Sequence, residues 1–78
     1  MNENTYPGPV VVRSTQELGN TISYARKAHG YSQQQFADLA GVGRRFVSEL
    51  ENGKASAEFG KVLQVLTALG IDLQLRHR

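Results

Sequence analysis

Cysteine and tryptophan are absent from the 78 residues, proline occurs twice and methionine once. Without cysteine there is neither a disulfide framework nor a thiolate metal site, so packing alone must hold the fold. The histidines, His29 and His77, lie far apart in sequence with no acidic cluster beside them, and no metal ligand set is expected. Both prolines, Pro7 and Pro9, sit near the start, which leaves the remainder free of the residue that most disrupts helices. No stretch approaches the roughly 18 apolar residues of a membrane span or the charged-then-apolar pattern of a leader. The expectation is a cytoplasmic protein with no membrane partner.

Catalytic machinery is missing too. The acidic residues are Glu3, Glu17, Asp38, Glu49, Glu51, Glu58 and Asp72, and none stands at a recognisable catalytic spacing from a base. The eight glycines are scattered rather than gathered into a phosphate-cradling loop. An enzyme is not expected, nor a cofactor. Charge excludes a polybasic nucleic-acid coat, because nine Lys or Arg oppose seven Asp or Glu for a net +2. Distribution matters more than the sum. A chain of this length builds one domain with a small core, and such domains often gain stability by oligomerising.

What is present is a run of helix punctuation. Ser32 can cap a helix by accepting the amide proton of Gln34 or Gln35, while Gln35 can reach back to the Ser32 amide as the other half of a capping box. Phe36, Ala37 and Ala40 then form an inner stripe. Gly41 supplies the left-handed backbone that ends a helix, Val42 plugs the core, and Gly43 stands at the cap of the next helix. Phe46, Val47 and Leu50 face inward there, leaving Arg44, Arg45, Ser48, Glu49 and Asn52 largely outward until Gly53. Two short helices joined by a three-residue turn, the second opening on paired arginines, are the form of a DNA reader. An arginine fork matches guanine O6 and N7 in the major groove.

Elsewhere, Ser14 to Glu17 is a second capping-box pattern, and Leu18, Ile22, Ala25 and His29 mark the inner stripe of a first helix ending near Gly30. Ser56 can cap a fourth helix with the stripe Phe59, Val62, Leu63, Leu66 and Leu69. Gly60 within it reflects either close backbone contact or simple tolerance. Ile71 to Arg76 alternates apolar and polar residues with period two, which predicts a half-buried strand. A lone strand cannot satisfy its own hydrogen bonds, so Ile71, Leu73 and Leu75 are expected to pair with the same strand of a second copy across a twofold axis. Val10 to Val12 either adds a further strand to that sheet or packs on the fourth helix. Three regions result: an arm over residues 1–13, a helical domain over 14–70, and a dimerisation strand over 71–78.

Residues Leu18 to Leu69 resemble the phage-repressor (XRE/Cro) family of helix-turn-helix proteins. The resemblance rests on Tyr31-Ser32-Gln33-Gln34-Gln35-Phe36-Ala37, on Ala40-Gly41-Val42 and on Leu50-Glu51-Asn52-Gly53-Lys54, all in the family's register. The C-terminal strand departs from the phage pattern and, with the junction Val65 to Leu73, is similar to HipB-type antitoxins. This implies a mainly α, four-helix lambda-repressor-like domain with a C-terminal β-strand forming an intersubunit sheet in a dimer. It also implies a repressor that binds an inverted-repeat operator in double-stranded DNA, autoregulates its operon and neutralises a HipA-like kinase toxin.

By the same resemblance, Arg44, Arg45 and Glu49 occupy base-contacting positions. Gln33 matches a phosphate-gripping position, Ser48, Asn52 and Lys54 are further phosphate candidates, and Arg26 and Glu51 form an internal ion pair. Some readings stay open. One arginine can instead meet a phosphate or a neighbouring acid, Phe46 either meets a thymine methyl or turns into the core, and Asn52 with Gly53 can simply shape a turn. Two other functions fit the residues: a stand-alone phage-type repressor, and a protein-binding adaptor whose basic helix is only a solvated face.

Overall fold

The computed structural model describes residues 9–78, which form four helices: α1 Thr15–Ala28, α2 Gln33–Ala40, α3 Arg44–Glu51 and α4 Phe59–Ala68. Residues 1–8 of the expected arm lie outside the described residues. Val10, Val11 and Val12 are exposed and not in a strand.

α1, α2 and α4 each begin where a side chain can take up a free amide, while α3 begins at Gly43 with no side-chain cap. Ser14 Oγ accepts from Glu17 N at 3.0 Å, but the Glu17 carboxylate accepts from Arg13 N at 2.6 Å, one residue before the cap. At α2 the capping box closes on both sides, with Gln35 N donating to Ser32 Oγ at 3.0 Å and Ser32 N to Gln35 Oε1 at 2.9 Å. α4 corrects the sequence reading. Its cap is Glu58, whose carboxylate accepts from Lys61 N at 3.2 Å, and Ser56 lies exposed in the preceding linker. Gly60 is thus the second residue of α4 rather than a mid-helix glycine, and an added Cβ there would meet only Glu58 Oε2, at 3.6 Å.

The core is Ile22 and Ala25 from α1, Phe36 and Ala37 from α2, Val47 and Leu50 from α3, and Val62, Val65, Leu66 and Leu69 at α4. Two expected stripes shift. Phe59 and Leu63 are 60% and 39% exposed, while Val65 is wholly buried, so α4 docks along the 62-65-66-69 row. His29 caps α1 from outside, exposed and stacked on Tyr31 at 5.9 Å between ring centroids. Residues 71–78 form no strand in the single chain. Ile71 packs half-buried on the core, whereas Leu73 and Leu75 are 51% and 92% exposed.

Candidate nucleic-acid interface

α3 is set by the turn before it. Gly41 adopts φ +77°, a conformation that strains any residue with a Cβ, and Gly41 and Val42 both donate to Ala37 O at 3.0 Å. The chain reverses over Gly41, Val42 and Gly43, and Val42 packs half-buried against the core. α3 then runs from Arg44 with Val47 and Leu50 inward. Gln64 on α4 donates to Ala40 O at 3.3 Å, which satisfies a carbonyl left over at the end of α2.

The far end of α3 is held by α1 at unusually close range. A Cβ on Gly19 would lie 2.5 Å from Leu50 O and 2.7 Å from Glu51 O, so the two backbones meet where only glycine fits. One turn earlier, Thr15 Oγ1 donates to Gly53 O at 2.7 Å. Gly53 itself has φ +83° and would place a Cβ 2.9 Å from the Gln16 Cα. None of this was visible in the motifs. The available signal was a glycine inside the stripe Leu18 to Ile22, where a larger apolar residue would otherwise bury more surface.

Behind α3 lies a buried ion pair. Arg26 Nε donates to Glu51 Oε2 at 2.6 Å and a terminal nitrogen to Glu51 Oε1 at 2.9 Å, with the two side chains 8% and 6% exposed. The other terminal nitrogen donates to Tyr31 O at 2.7 Å. Gln33 Nε2 adds a bond to Glu51 Oε1 at 3.1 Å. Burial pushes the Glu51 carboxyl up, but hydrogen bonds from Arg26, Gln33 and Ser23 and the Arg26 charge outweigh it and hold it below its ordinary range. The bond to Glu51 raises Arg26. Gln33 therefore points its amide at an internal carboxylate and is half-buried.

On the outer face, Arg44 and Arg45 are exposed at the start of α3. Arg44 makes no side-chain hydrogen bond among the described residues. Arg45 pairs with Glu49 at 3.2 Å, its side chain still 91% exposed, and Lys54 reaches the other oxygen of Glu49 at 3.2 Å. The Lys54 bond first, and then Arg45, hold the Glu49 carboxyl below its ordinary range. Ser48 is half-buried, and Asn52, exposed, closes the helix through its backbone N–H to Ser48 O and Glu49 O. Phe46 packs partly buried against the core, with Lys61 Nζ 5.8 Å from its ring centroid.

With Glu51 sequestered by Arg26, the face carries Arg44, Arg45 and Lys54 against Glu49 alone. Ionic contact with a polyanion and fork-like contact with base edges are what such a face can do. No group of three or more His, Asp or Glu that could hold a metal occurs among the described residues, and none of their helices is long and apolar enough to cross a membrane.

Comparison with known proteins places this geometry. The model of the helix-turn-helix family matches residues 22–75. An HTH-type transcriptional regulator of Sinorhizobium fredii, y4mF, described as uncharacterized, is 39% identical over 64 residues, which is 82% of this chain and 84% of that protein. The fold is similar to that of HipB in a HipA-HipB-O2-O3 complex and in a HipB-O4 20mer complex. Each has a TM-score of 0.79 at 20% identity and covers 87% of this chain and 96% of the other. The chain belongs to the XRE-type helix-turn-helix family, a family of DNA-binding transcription regulators and not of enzymes.

Proposed function

We propose that this protein is a sequence-specific repressor that binds an inverted-repeat operator as a homodimer and serves as the HipB-like antitoxin of a toxin-antitoxin operon. The observation that carries the DNA half is the pair of exposed arginines, Arg44 and Arg45, at the N-terminal end of a helix fixed from behind by the Arg26–Glu51 bond. Recognition helices of this type enter the major groove by their first residues. In this reading Arg44 and Arg45 contact base edges, with Glu49 beside them, and a guanine contact discriminates by about 1–3 kcal/mol. Ser48, Asn52 and Lys54 meet phosphates, and Gln33 does so at the start of α2 with the amide hydrogen it does not give to Glu51, where the helix dipole favours an anion.

The dimer half rests on residues 71–75. Leu73 and Leu75 are exposed apolar side chains two apart, following Ile71, which packs half-buried on the core. Pairing that segment with its twofold mate would cover them and supply the missing strand hydrogen bonds. Two recognition helices so related reach successive major grooves about 34 Å apart, which demands half-sites about one turn apart. The likeness to HipB in a complex with HipA supports a kinase toxin of the HipA class as the protein partner.

Selection of genomic fragments by the purified protein, with the enriched sequence read at several salt concentrations, tests the proposal. An inverted repeat upstream of the protein's own gene, beside a kinase-like toxin gene, is the expected result. Affinity should fall steeply with salt as phosphate contacts release counterions. Absence of any enriched sequence at low salt would refute DNA reading and leave a protein adaptor as the working function.

A further inference from the structure

One carboxylate holds two of the three cations on the reading face. Glu49 Oε2 accepts from Arg45 and Oε1 from Lys54, each at 3.2 Å. The first pair spans one helical turn, and the second is built by the turn at Gly53, where Lys54 N donates back to Glu49 O at 3.0 Å. The atom that Arg45 commits is Nε. Its two terminal nitrogens remain free, and that end of the fork is the one that matches guanine O6 and N7.

We infer that Glu49 is a positioning and specificity-setting residue, which holds Arg45 end-on for a guanine and withholds Arg45 and Lys54 from phosphates on DNA of the wrong sequence. This rests on the DNA-reading proposal above and deepens it. In a nonspecific complex these cations meet phosphates, and a phosphate must displace or approach an ionised carboxylate to use either of them. At a cognate site Arg45 keeps its Nε bond while its terminal nitrogens engage the base, so the tether is compatible with the specific complex and opposes the nonspecific one. Glu49 is ionised at neutral pH, as any glutamate near its ordinary value is, and the bonds from Lys54 and Arg45 hold its carboxyl lower still. The net charge of the three groups is +1, against +2 for the two cations alone.

The test uses the full chain and a duplex selected with the unmodified protein. Wild type, Glu49→Gln, Arg45→Ala and the double variant are titrated against the selected duplex and a random duplex over a range of salt, with thermal melting of each as the folding control. Glu49→Gln should bind the random duplex severalfold more tightly and steepen its log affinity against log salt slope by roughly 0.9 to 1.8, one or two phosphate contacts' worth. Its discrimination at the base pair read by Arg45 should fall, and that fall should vanish in the Arg45→Ala background. An equal loss in both backgrounds means that Glu49 reads a base by itself, which overturns the inference and leaves DNA reading intact. Unchanged random-duplex affinity and salt slope overturn it as well. If the unmodified protein selects no duplex, DNA reading fails and the inference with it.

Discussion

Replacing Arg26 with alanine removes one partner of a buried ion pair and leaves the other in place. Arg26 and Glu51 are 7% and 8% exposed as residues. In the variant the Glu51 carboxylate keeps only the hydrogen bonds from Gln33 and Ser23, and Tyr31 O loses its guanidinium donor. An uncompensated charge of this kind costs about 3–5 kcal/mol. At about 0.05–0.15 kcal/mol per residue, a domain of this length has about 4–12 kcal/mol in total, so the loss is a large share of it. Converted at ~4 °C per kcal/mol, the melting temperature should drop by at least ~12 °C.

The pH dependence separates this cause from generic loss of packing. In the wild type, Glu51 has a folded pKa below its ordinary value near 4.5, so its contribution is complete above that value and lost as pH falls through the lower folded one. In Arg26→Ala the sign reverses. Burial, which raises the pKa, is then opposed by fewer donors, the folded carboxyl titrates above the unfolded one, and protonation relieves the buried charge. The deficit relative to wild type should therefore shrink as pH falls from about 7 towards 4. Circular dichroism melts of both proteins across that range measure it. A melting temperature within ~3 °C of wild type at neutral pH, or a deficit that stays constant with pH, would refute the reasoning.

Gly19→Ala should destabilise by about 1–3 kcal/mol, despite alanine's better helix propensity, because its Cβ meets two carbonyl oxygens rather than movable side chains. Unchanged urea unfolding would mean that α1 and α3 are not in such close contact. Ser32→Ala should cost about 1 kcal/mol by opening the α2 capping box, read as a drop of ~4–8 °C in melting temperature. Leu73→Ser with Leu75→Ser should convert dimer to monomer in sedimentation and weaken operator binding; a persistent dimer would place the interface on another surface. Arg44→Ala should weaken binding to a selected operator by about 1–3 kcal/mol more than to random DNA. Equal losses for Arg44→Ala on the two duplexes would remove it from base contact.

The helix-turn-helix was legible because its signals are short-range. A capping box needs only Ser32 and Gln35, and the stop at Gly41 needs only a residue tolerant of positive φ. α4 was harder. The expected row 59-62-63-66-69 and the observed row 62-65-66-69 share Val62, Leu66 and Leu69, and local periodicity cannot choose between rows that overlap so far. The helix it packs on chooses, and it buries Val65 while leaving Phe59 and Leu63 exposed. Ser56 lost to Glu58 for the same reason, since the position of a cap follows from where tertiary packing starts the helix. The contact at Gly19 depends on which part of α3 lies opposite, a long-range fact that one glycine in a stripe cannot encode.

The helix proposed to read DNA is held from several sides, and the two properties are linked. α3 is only eight residues long, too short to persist by propensity, and Gly43 gives it no side-chain cap. Its direction must come from tertiary contacts: Val47 and Leu50 in the core, Gly19 against its last carbonyls, Thr15 on Gly53, and Arg26 on Glu51. Three of those four contacts originate on α1, which contributes none of the proposed DNA contacts. Loosening α1 therefore misplaces Arg44 and Arg45 together without altering either side chain. The signature is distinct from that of a lost base contact: affinity falls for every site while the preferred sequence stays the same. The Arg26–Glu51 pair has a second consequence on the opposite surface. By drawing Glu51 inward, it leaves Glu49 as the sole acid among the described residues facing the cations of α3 and its C-terminal turn, so one internal bond both orients the helix and sets the charge of the face proposed to meet DNA.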